Sequence, residues 1–154
     1  MNHRQKNLFN QLRTYREWLL ATVAELSEEQ ANQIPTGFRN NVRWNLGHVY
    51  LDQYLWLEAV TREESPVPRP FLQWFNFGTT PTNFTDATPS AAELINLLAN
   101  QPTIIEQTYG VRLDQAFEPT EMGMRTIEDV LVRTIFHEGM HTQAINDLKK
   151  FLNK

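Results

Sequence analysis

The chain contains no cysteine. It therefore forms no disulfide, offers no thiolate as a metal ligand and has no cysteine nucleophile. A lack of disulfides is compatible with the cytosol, and we expect a cytoplasmic location. The polar N-terminal segment 1–12 has no apolar region of the kind found in secretory signals. No apolar run approaches the roughly 18 residues of a membrane span, so we expect no membrane partner.

Blocks of basic residues are also missing. The net charge is −4, and a mildly acidic chain without a basic patch argues against a nucleic-acid partner. Aromatic residues make up 11% of the chain, a content that excludes a disordered acidic polypeptide. The length of 154 residues fits one domain, and no repeat or linker divides residues 1–154.

Apolar residues recur at steps of three and four in four segments, which predicts four helices. Their expected bounds are about 4–26, 42–62, 90–110 and 126–151. Asn41, Ser90 and Thr126 are the expected N-terminal caps, and Pro102 should kink or split the third helix. Since no clear strand pattern is present, the predicted fold class is all-α, an up-down four-helix bundle.

A long loop, residues 64–88, is expected between the second and third helices. It contains four prolines and five aromatic residues. Loops of this length are usually functional or disordered, and so many aromatic side chains predict that this one packs against the bundle. Trp74, Phe75 and Phe77 are candidates to cover a binding pocket, with core packing as the alternative for at least two of them.

Three of the four histidines lie in predicted helices. His137 and His141 are four residues apart, a spacing that puts both imidazoles on one helix face and is a recurrent way to bind one metal ion. That face carries apolar residues and should enter the core, as should the face of the second helix that carries His48. A satisfied core histidine is the alternative for His48, and His3, near the terminus, is expected to be solvated.

Three inward histidines on two helices are best explained by one shared divalent transition metal. Neutral imidazoles suit zinc, nickel, iron or copper better than magnesium or calcium. Of these we expect zinc or nickel, with iron as a further candidate. Three protein ligands leave at least one position open, which is the pattern of a catalytic site.

Residues 137–141, HEGMH, also match the H-E-x-x-H motif of zinc proteases. Those enzymes take a third ligand downstream, and the residues after His141 include no histidine and no glutamate. A protease is therefore disfavoured. Glu138 remains a candidate catalytic base or a group that orients a ligand, with an exposed helix carboxylate as the alternative.

Two segments around these histidines share a pattern with a known family. Residues 42–49, VRWNLGHV, and residues 136–145, FHEGMHTQAI, resemble the second-helix and fourth-helix motifs of the DinB-like family. That family includes S-transferases that use bacillithiol and related low-molecular-weight thiols. The resemblance covers essentially the whole chain, and it implies a metal-binding four-helix bundle with His48, His137 and His141 as ligands.

By this resemblance the protein is a metal-dependent enzyme whose metal activates a small thiol for attack on an electrophilic substrate. Because the chain has no cysteine, the thiol must be a separate cosubstrate. A metal-dependent hydrolase of the same fold and a non-catalytic metal-binding or sensor domain are the alternatives. Self-association, for example as a homodimer, is a further expectation, since broadly apolar helices often pair.

Other residues are candidates for the substrate pocket. Asp52 follows His48 by one turn and is a candidate to accept an imidazole N–H, or else a surface carboxylate. Arg133 precedes His137 by one turn and is a candidate to pair with an anionic cosubstrate, with a plain surface arginine as the alternative. Trp74 completes the expected substrate-binding set.

Overall fold

The computed structural model describes residues 1–153, which contain helices and no strands. The all-α prediction is therefore confirmed. A short 3-10 turn, Pro81–Asn83, accompanies six α-helices. These are α1 (His3–Val23), α2 (Glu28–Asn32), α3 (Val42–Thr61), α4 (Pro70–Phe75), α5 (Ala91–Tyr109) and α6 (Ile127–Lys149). Within the described residues, no helix is both long and apolar enough to cross a membrane.

Polar caps define where the four long helices begin. The side chains of Asn2, Asn41, Ser90 and Thr126 each accept a hydrogen bond from the backbone N–H three residues further on. Such bonds satisfy donors that have no partner in the first helical turn. The three caps predicted from the sequence are confirmed, and Asn2 places the start of α1 slightly earlier than expected.

The four long helices form a ring in which α1 and α3 each pack against α5 and α6. Cross-helix contacts fix their directions. Arg4 pairs with Glu128, and Arg16 pairs with Glu138, so α1 and α6 run parallel. Asn45 contacts His141 near the start of α3, where α6 is approaching its end, so α3 and α6 are antiparallel.

Helices α3 and α5 run in the same direction. Arg43 bonds the carbonyl of Pro89 near their starts, and Gln101 bonds the carbonyl of Tyr50 near their middles. The up-down order thus holds from α1 to α3 and from α5 to α6, whereas α3 and α5 are parallel. A parallel pair needs a long return connection, which the segment between Thr61 and Ala91 supplies.

This segment is ordered around the short helix α4, which the sequence analysis treated as loop. Pro70 is the first residue of α4. Its fixed φ suits the start of a helix, and the N–H that proline lacks would have no hydrogen-bond partner at that position. Phe71, Trp74 and Phe75 are buried in the core cluster. The prediction that the connection packs against the bundle is confirmed.

Helix α5 continues through Pro102 and is not split there. Proline has no N–H, so the carbonyl of Leu98 loses its helical partner. The buried guanidinium of Arg16 on α1 replaces that partner, with Nη1 2.6 Å from the Leu98 oxygen. A side chain from a neighbouring helix therefore satisfies the acceptor that the proline leaves open.

Arg16 is also the centre of a buried polar cluster. Its Nε and Nη2 atoms donate to the two carboxylate oxygens of Glu138 at 2.6 and 3.1 Å. Its remaining hydrogen bonds go to the side-chain oxygens of Gln101 and Gln53 at 3.1 and 3.3 Å. All five N–H groups of the guanidinium have acceptors, as a buried arginine requires.

Gly47 allows α4 to approach α3 closely. A Cβ at this position would overlap the ring of Phe75.

We expect Gly47→Ala to lower the free energy of unfolding by about 1–3 kcal/mol, because the ring and its helix must move. Urea denaturation of dilute protein checks this. Gly139→Ala is the matched control, since a Cβ there meets no atom, and it should leave stability unchanged or raise it. Equal losses in both variants would contradict this role of Gly47.

Candidate metal centre

Three imidazoles meet between α3 and α6. His48 comes from α3, and His137 and His141 come from successive turns of α6. The Nε2 atom of His137 lies 3.3 Å from Nε2 of His48 and 3.2 Å from Nε2 of His141. One nitrogen from each ring falls within 4.8 Å of the others. The structure thus brings together the three residues that the sequence pattern selected as ligands.

The opposite nitrogen of each ring contacts a hydrogen-bond acceptor. Nδ1 of His48 lies 2.7 Å from the carbonyl oxygen of Phe75. Nδ1 of His137 lies 3.1 Å from a carboxylate oxygen of Asp52, and Nδ1 of His141 lies 2.7 Å from Oδ1 of Asn45. Each Nδ1 therefore carries the proton, and each Nε2 presents a lone pair to the space between the rings.

The amide of Asn45 fixes the tautomer of His141. Its Nδ2 atom donates to the carbonyl of Asn41 at 2.8 Å, which turns Oδ1 towards the imidazole. Asn45 is buried, so water does not compete for either bond. Because Oδ1 can only accept, Nδ1 of His141 must donate.

The surroundings hold the imidazoles neutral. Burial, with a smaller contribution from the neighbouring His48, lowers the pKa of both His137 and His141 to about 3. Burial also lowers the pKa of His48. At neutral pH three lone pairs therefore face one another without a proton between them. This donor set fits a cation such as zinc or nickel, which would accept all three pairs.

Packing restricts the rings further. The indole of Trp44 stacks on His48 with a centroid distance of 4.7 Å and an interplanar angle of 9°. Its Nε1–H donates to the hydroxyl of Thr79 at 2.9 Å. The side chain that supports His48 is thereby tied to the connection that also supplies the Phe75 carbonyl.

A cavity of about 420 Å³ opens beside His48 and His137. Its charged lining residues are Asp52, Arg133 and Glu121. The guanidinium of Arg133 pairs with Asp52 and lies 4.8 Å from the ring centre of Trp56. The remaining lining residues are Leu55, Ala59, Asn76 and Phe77. The cavity therefore combines an apolar wall with two carboxylates and one guanidinium, and the guanidinium is paired with Asp52.

Of the three residues expected to bind substrate, two lie at the cavity and one does not. Asp52 and Arg133 line the cavity, and Asp52 contacts an imidazole, that of His137. Trp74 is buried against Phe71 and Phe75 and is not among the residues that line the cavity. Of the three aromatic residues considered as cover, Phe77 reaches the cavity.

Glu138 lies on another face of α6. Both of its carboxylate oxygens bind Arg16, and the side chain is buried. The alternative of an exposed helix carboxylate is therefore wrong, and the residue does not line the cavity. His3 is exposed and contacts Asn7, away from the other histidines.

Several residues of the site were missed by the sequence analysis. Asn45 had a usable signal, because it is an amide three residues before His48 in a largely apolar helix. Trp56 had a signal as well, since it follows His48 by eight residues and Asp52 by four on one helix face. Glu121 had none, because only the fold brings it to the cavity. The Phe75 contact uses a main-chain oxygen, which no side-chain pattern reveals.

The protein is thus a helical bundle with a candidate metal site of three inward histidines, each oriented by a hydrogen-bond acceptor. The family model of the DinB superfamily matches residues 11–145, most of the 154-residue chain. The chain belongs to the DinB superfamily, which confirms the resemblance found in its histidine motifs. No curated protein matches the chain significantly.

We expect Asn45→Ala to weaken binding of zinc or nickel by about 10- to 100-fold, because His141 loses the acceptor that fixes its ring. Competition with a chromophoric chelator measures the affinity. Asn45→Asp retains an acceptor oxygen and should bind more tightly than the alanine variant. Equal affinities for both variants and the unaltered chain would show that this hydrogen bond has no role in binding.

Proposed function

We propose that this protein is a metal-dependent enzyme that activates a low-molecular-weight thiol for transfer to an electrophilic substrate. The supporting observation is that three oriented Nε2 atoms cluster together, and that two of the three histidines, His48 and His137, line a cavity wide enough for a small organic molecule. A closed structural site would need a fourth protein ligand. Three nitrogen donors beside a cavity leave coordination positions on the side from which a substrate would enter.

His48, His137 and His141 would hold the ion, with zinc or nickel favoured and iron as a further candidate. The bound cation would lower the pKa of a coordinated thiol, so that the thiolate is available as a nucleophile at neutral pH. Asp52 and Asn45 keep two of the imidazoles in the tautomer that binds. The chain supplies no thiol of its own, because it has no cysteine.

The cavity residues divide between the two substrates. Arg133 is positioned to attract an anionic group of the thiol cosubstrate, since its positive charge lies at the cavity wall and is only partly satisfied by Asp52. Trp56, Leu55 and Phe77 offer apolar surface to the electrophile. Binding both molecules in one cavity turns their encounter into a reaction between neighbours, which is a large part of the catalytic effect.

The test incubates protein loaded with zinc, nickel or iron with a panel of low-molecular-weight thiols and an electrophile such as 1-chloro-2,4-dinitrobenzene. We expect thiol and electrophile to be consumed one to one, with turnover lost in metal-free protein. Arg133→Met should raise KM for thiols that carry a carboxylate and leave KM for uncharged thiols nearly unchanged.

Other results would replace the proposal. Substrate consumption that needs metal but no thiol would identify a hydrolase, in which water is the nucleophile. Stable metal binding without turnover over the whole panel would identify a non-catalytic metal-binding or sensor protein. Failure to bind any of these metals would exclude both enzyme classes at this site.

A further inference from the structure

Helices α1 and α6 carry a large apolar surface on the outside of the bundle, here named the α1–α6 patch. Its exposed members range from Tyr15, which is 37% exposed, to Phe136, which is 70% exposed. Isolated exposed apolar residues are ordinary, but a contiguous group marks an interaction site. The patch consists of Tyr15, Trp18, Val132, Phe136 and Met140.

These side chains form one continuous surface. Tyr15 and Trp18 are in edge-to-face contact, with ring centres 5.3 Å apart. Tyr15 also lines a surface groove of about 450 Å³ together with Phe136, Met140 and the flanking Ile135. Val132 lies one turn before Phe136 on the same helix face. The patch therefore has both a groove and protruding aromatic rings.

Gly139 is one of the residues that line this groove. It lies in the middle of α6, where glycine destabilises a helix. Apart from its two chain neighbours and the backbone of its own helix, no heavy atom of residues 1–153 comes within 4 Å of the position that a Cβ would occupy. Contacts within the chain thus give no reason for a glycine here, whereas a missing side chain lets a second molecule approach the α6 backbone.

We propose that the α1–α6 patch is the interface of a homodimer, in which a second copy of the chain presents the same patch across a two-fold axis. Such an interface must be self-complementary, and a groove beside protruding Trp18 and Phe136 meets that requirement. The exposed apolar side chains amount to roughly 600 Å² per copy, so a pair would bury roughly 1,200 Å², at the lower end of stable interfaces.

The charge around the patch supports a second copy as the occupant. A two-fold axis places each charged group near its own equivalent, which disfavours charged interfaces between identical faces. The neighbouring positions Gln11 and Thr14 on α1 and Gln143 on α6 are uncharged. The charged groups that share a surface groove with Val132, Arg4 and Glu128, neutralise each other in an ion pair. An anionic membrane would instead favour lysine and arginine beside the apolar residues.

This interface is independent of the metal centre. His137 and His141 point into the bundle from one face of α6, while Phe136 and Met140 lie on the outer face. The cavity is lined from α3, α6 and the connections, with no residue of α1. A dimer formed through the patch leaves the cavity open, so loss of the dimer and loss of metal binding are separable.

Sedimentation velocity of the full chain, from micromolar to submillimolar concentration, tests the proposal. We expect a species of twice the 18.0 kDa chain mass. Phe136→Glu puts two like charges across the axis and should weaken the dimer by at least about thirty-fold. Val111→Glu is the matched control, because Val111 is 94% exposed but lies outside the patch, and it should remain dimeric.

A monomer at all concentrations, or a dimer that survives Phe136→Glu, overturns the proposal. Circular dichroism and metal content verify that the variant is folded. If it is not, a spin label on Gln143→Cys decides, because the chain has no other cysteine. A dimer through the patch places the two labels within about three helix diameters, or roughly 35 Å, of each other. Absence of that dipolar coupling also overturns the proposal.

Discussion

His48→Ala is expected to weaken zinc or nickel binding by at least about 100-fold, because one of three nitrogen donors is lost and each donor carries roughly a third of the binding free energy. The remaining pair on α6 offers two nitrogens, which bind less selectively and leave the ion more hydrated. Affinity is measured by chelator competition, and metal content of tag-free protein by mass spectrometry. The double variant His137→Ala/His141→Ala should contain no stoichiometric metal.

His3→Ala is the matched control, since that histidine is exposed and distant from the other three. It should bind metal like the unaltered chain. If His48→Ala binds metal as tightly as the unaltered chain, His48 is not a ligand. If the unaltered protein stays metal-free after incubation with zinc, nickel and iron, the site does not bind metal, and the thiol-transfer proposal fails with it.

Glu138→Gln is expected to lower the free energy of unfolding by about 3–5 kcal/mol, because a near-isosteric change leaves the buried charge of Arg16 uncompensated. The pair is well below the surface, with side-chain exposures of 2% for both residues. A loss of this size is a large part of the 5–15 kcal/mol that is typical of a folded domain. Urea denaturation followed by circular dichroism measures it.

Asp147→Asn, which breaks the exposed pair with Lys150, is the control and should not shift the denaturation midpoint. A second comparison isolates the carbonyl of Leu98. In the double variant Arg16→Met/Glu138→Leu that carbonyl has no donor, and adding Pro102→Ala restores a helical N–H to it. We expect the triple variant to be more stable than the double one. A Glu138→Gln variant as stable as the unaltered chain would contradict the role of this ion pair.

The four long helices could be predicted because the signals for a helix come from residues close together in the sequence. Helix periodicity depends on residues three and four apart, and the caps at Asn41, Ser90 and Thr126 depend on the first turn alone. The relative directions of α3 and α5 depend instead on how the connection returns along the bundle. The continuity of α5 through Pro102 depends on Arg16, a residue far away in the sequence.

The same distinction holds for the site. His137 and His141 could be paired from their spacing, and the face of α3 brought His48 to them. The role of Glu138 could not be inferred, because its partner Arg16 is 122 residues away in the sequence. The role of Trp74 could not be inferred, because the segment that contains α4 was expected to be a loop and so had no predicted buried face. Glu138 meets Arg16, while His137 beside it meets Asp52. Phe136 and Met140 each precede one of the α6 histidines by one position, so helix geometry places them about 100° from the inward face, and they lie outside the bundle.

The hydrogen bond from His48 to the carbonyl of Phe75 has a consequence for how the chain tolerates change. A main-chain oxygen is present whatever the side chain, so no single substitution at position 75 deletes the acceptor itself. Its position depends on chain length between α3 and α4. We therefore expect the site to be more sensitive to a one-residue insertion or deletion within 62–69 than to replacement of any single residue in that stretch.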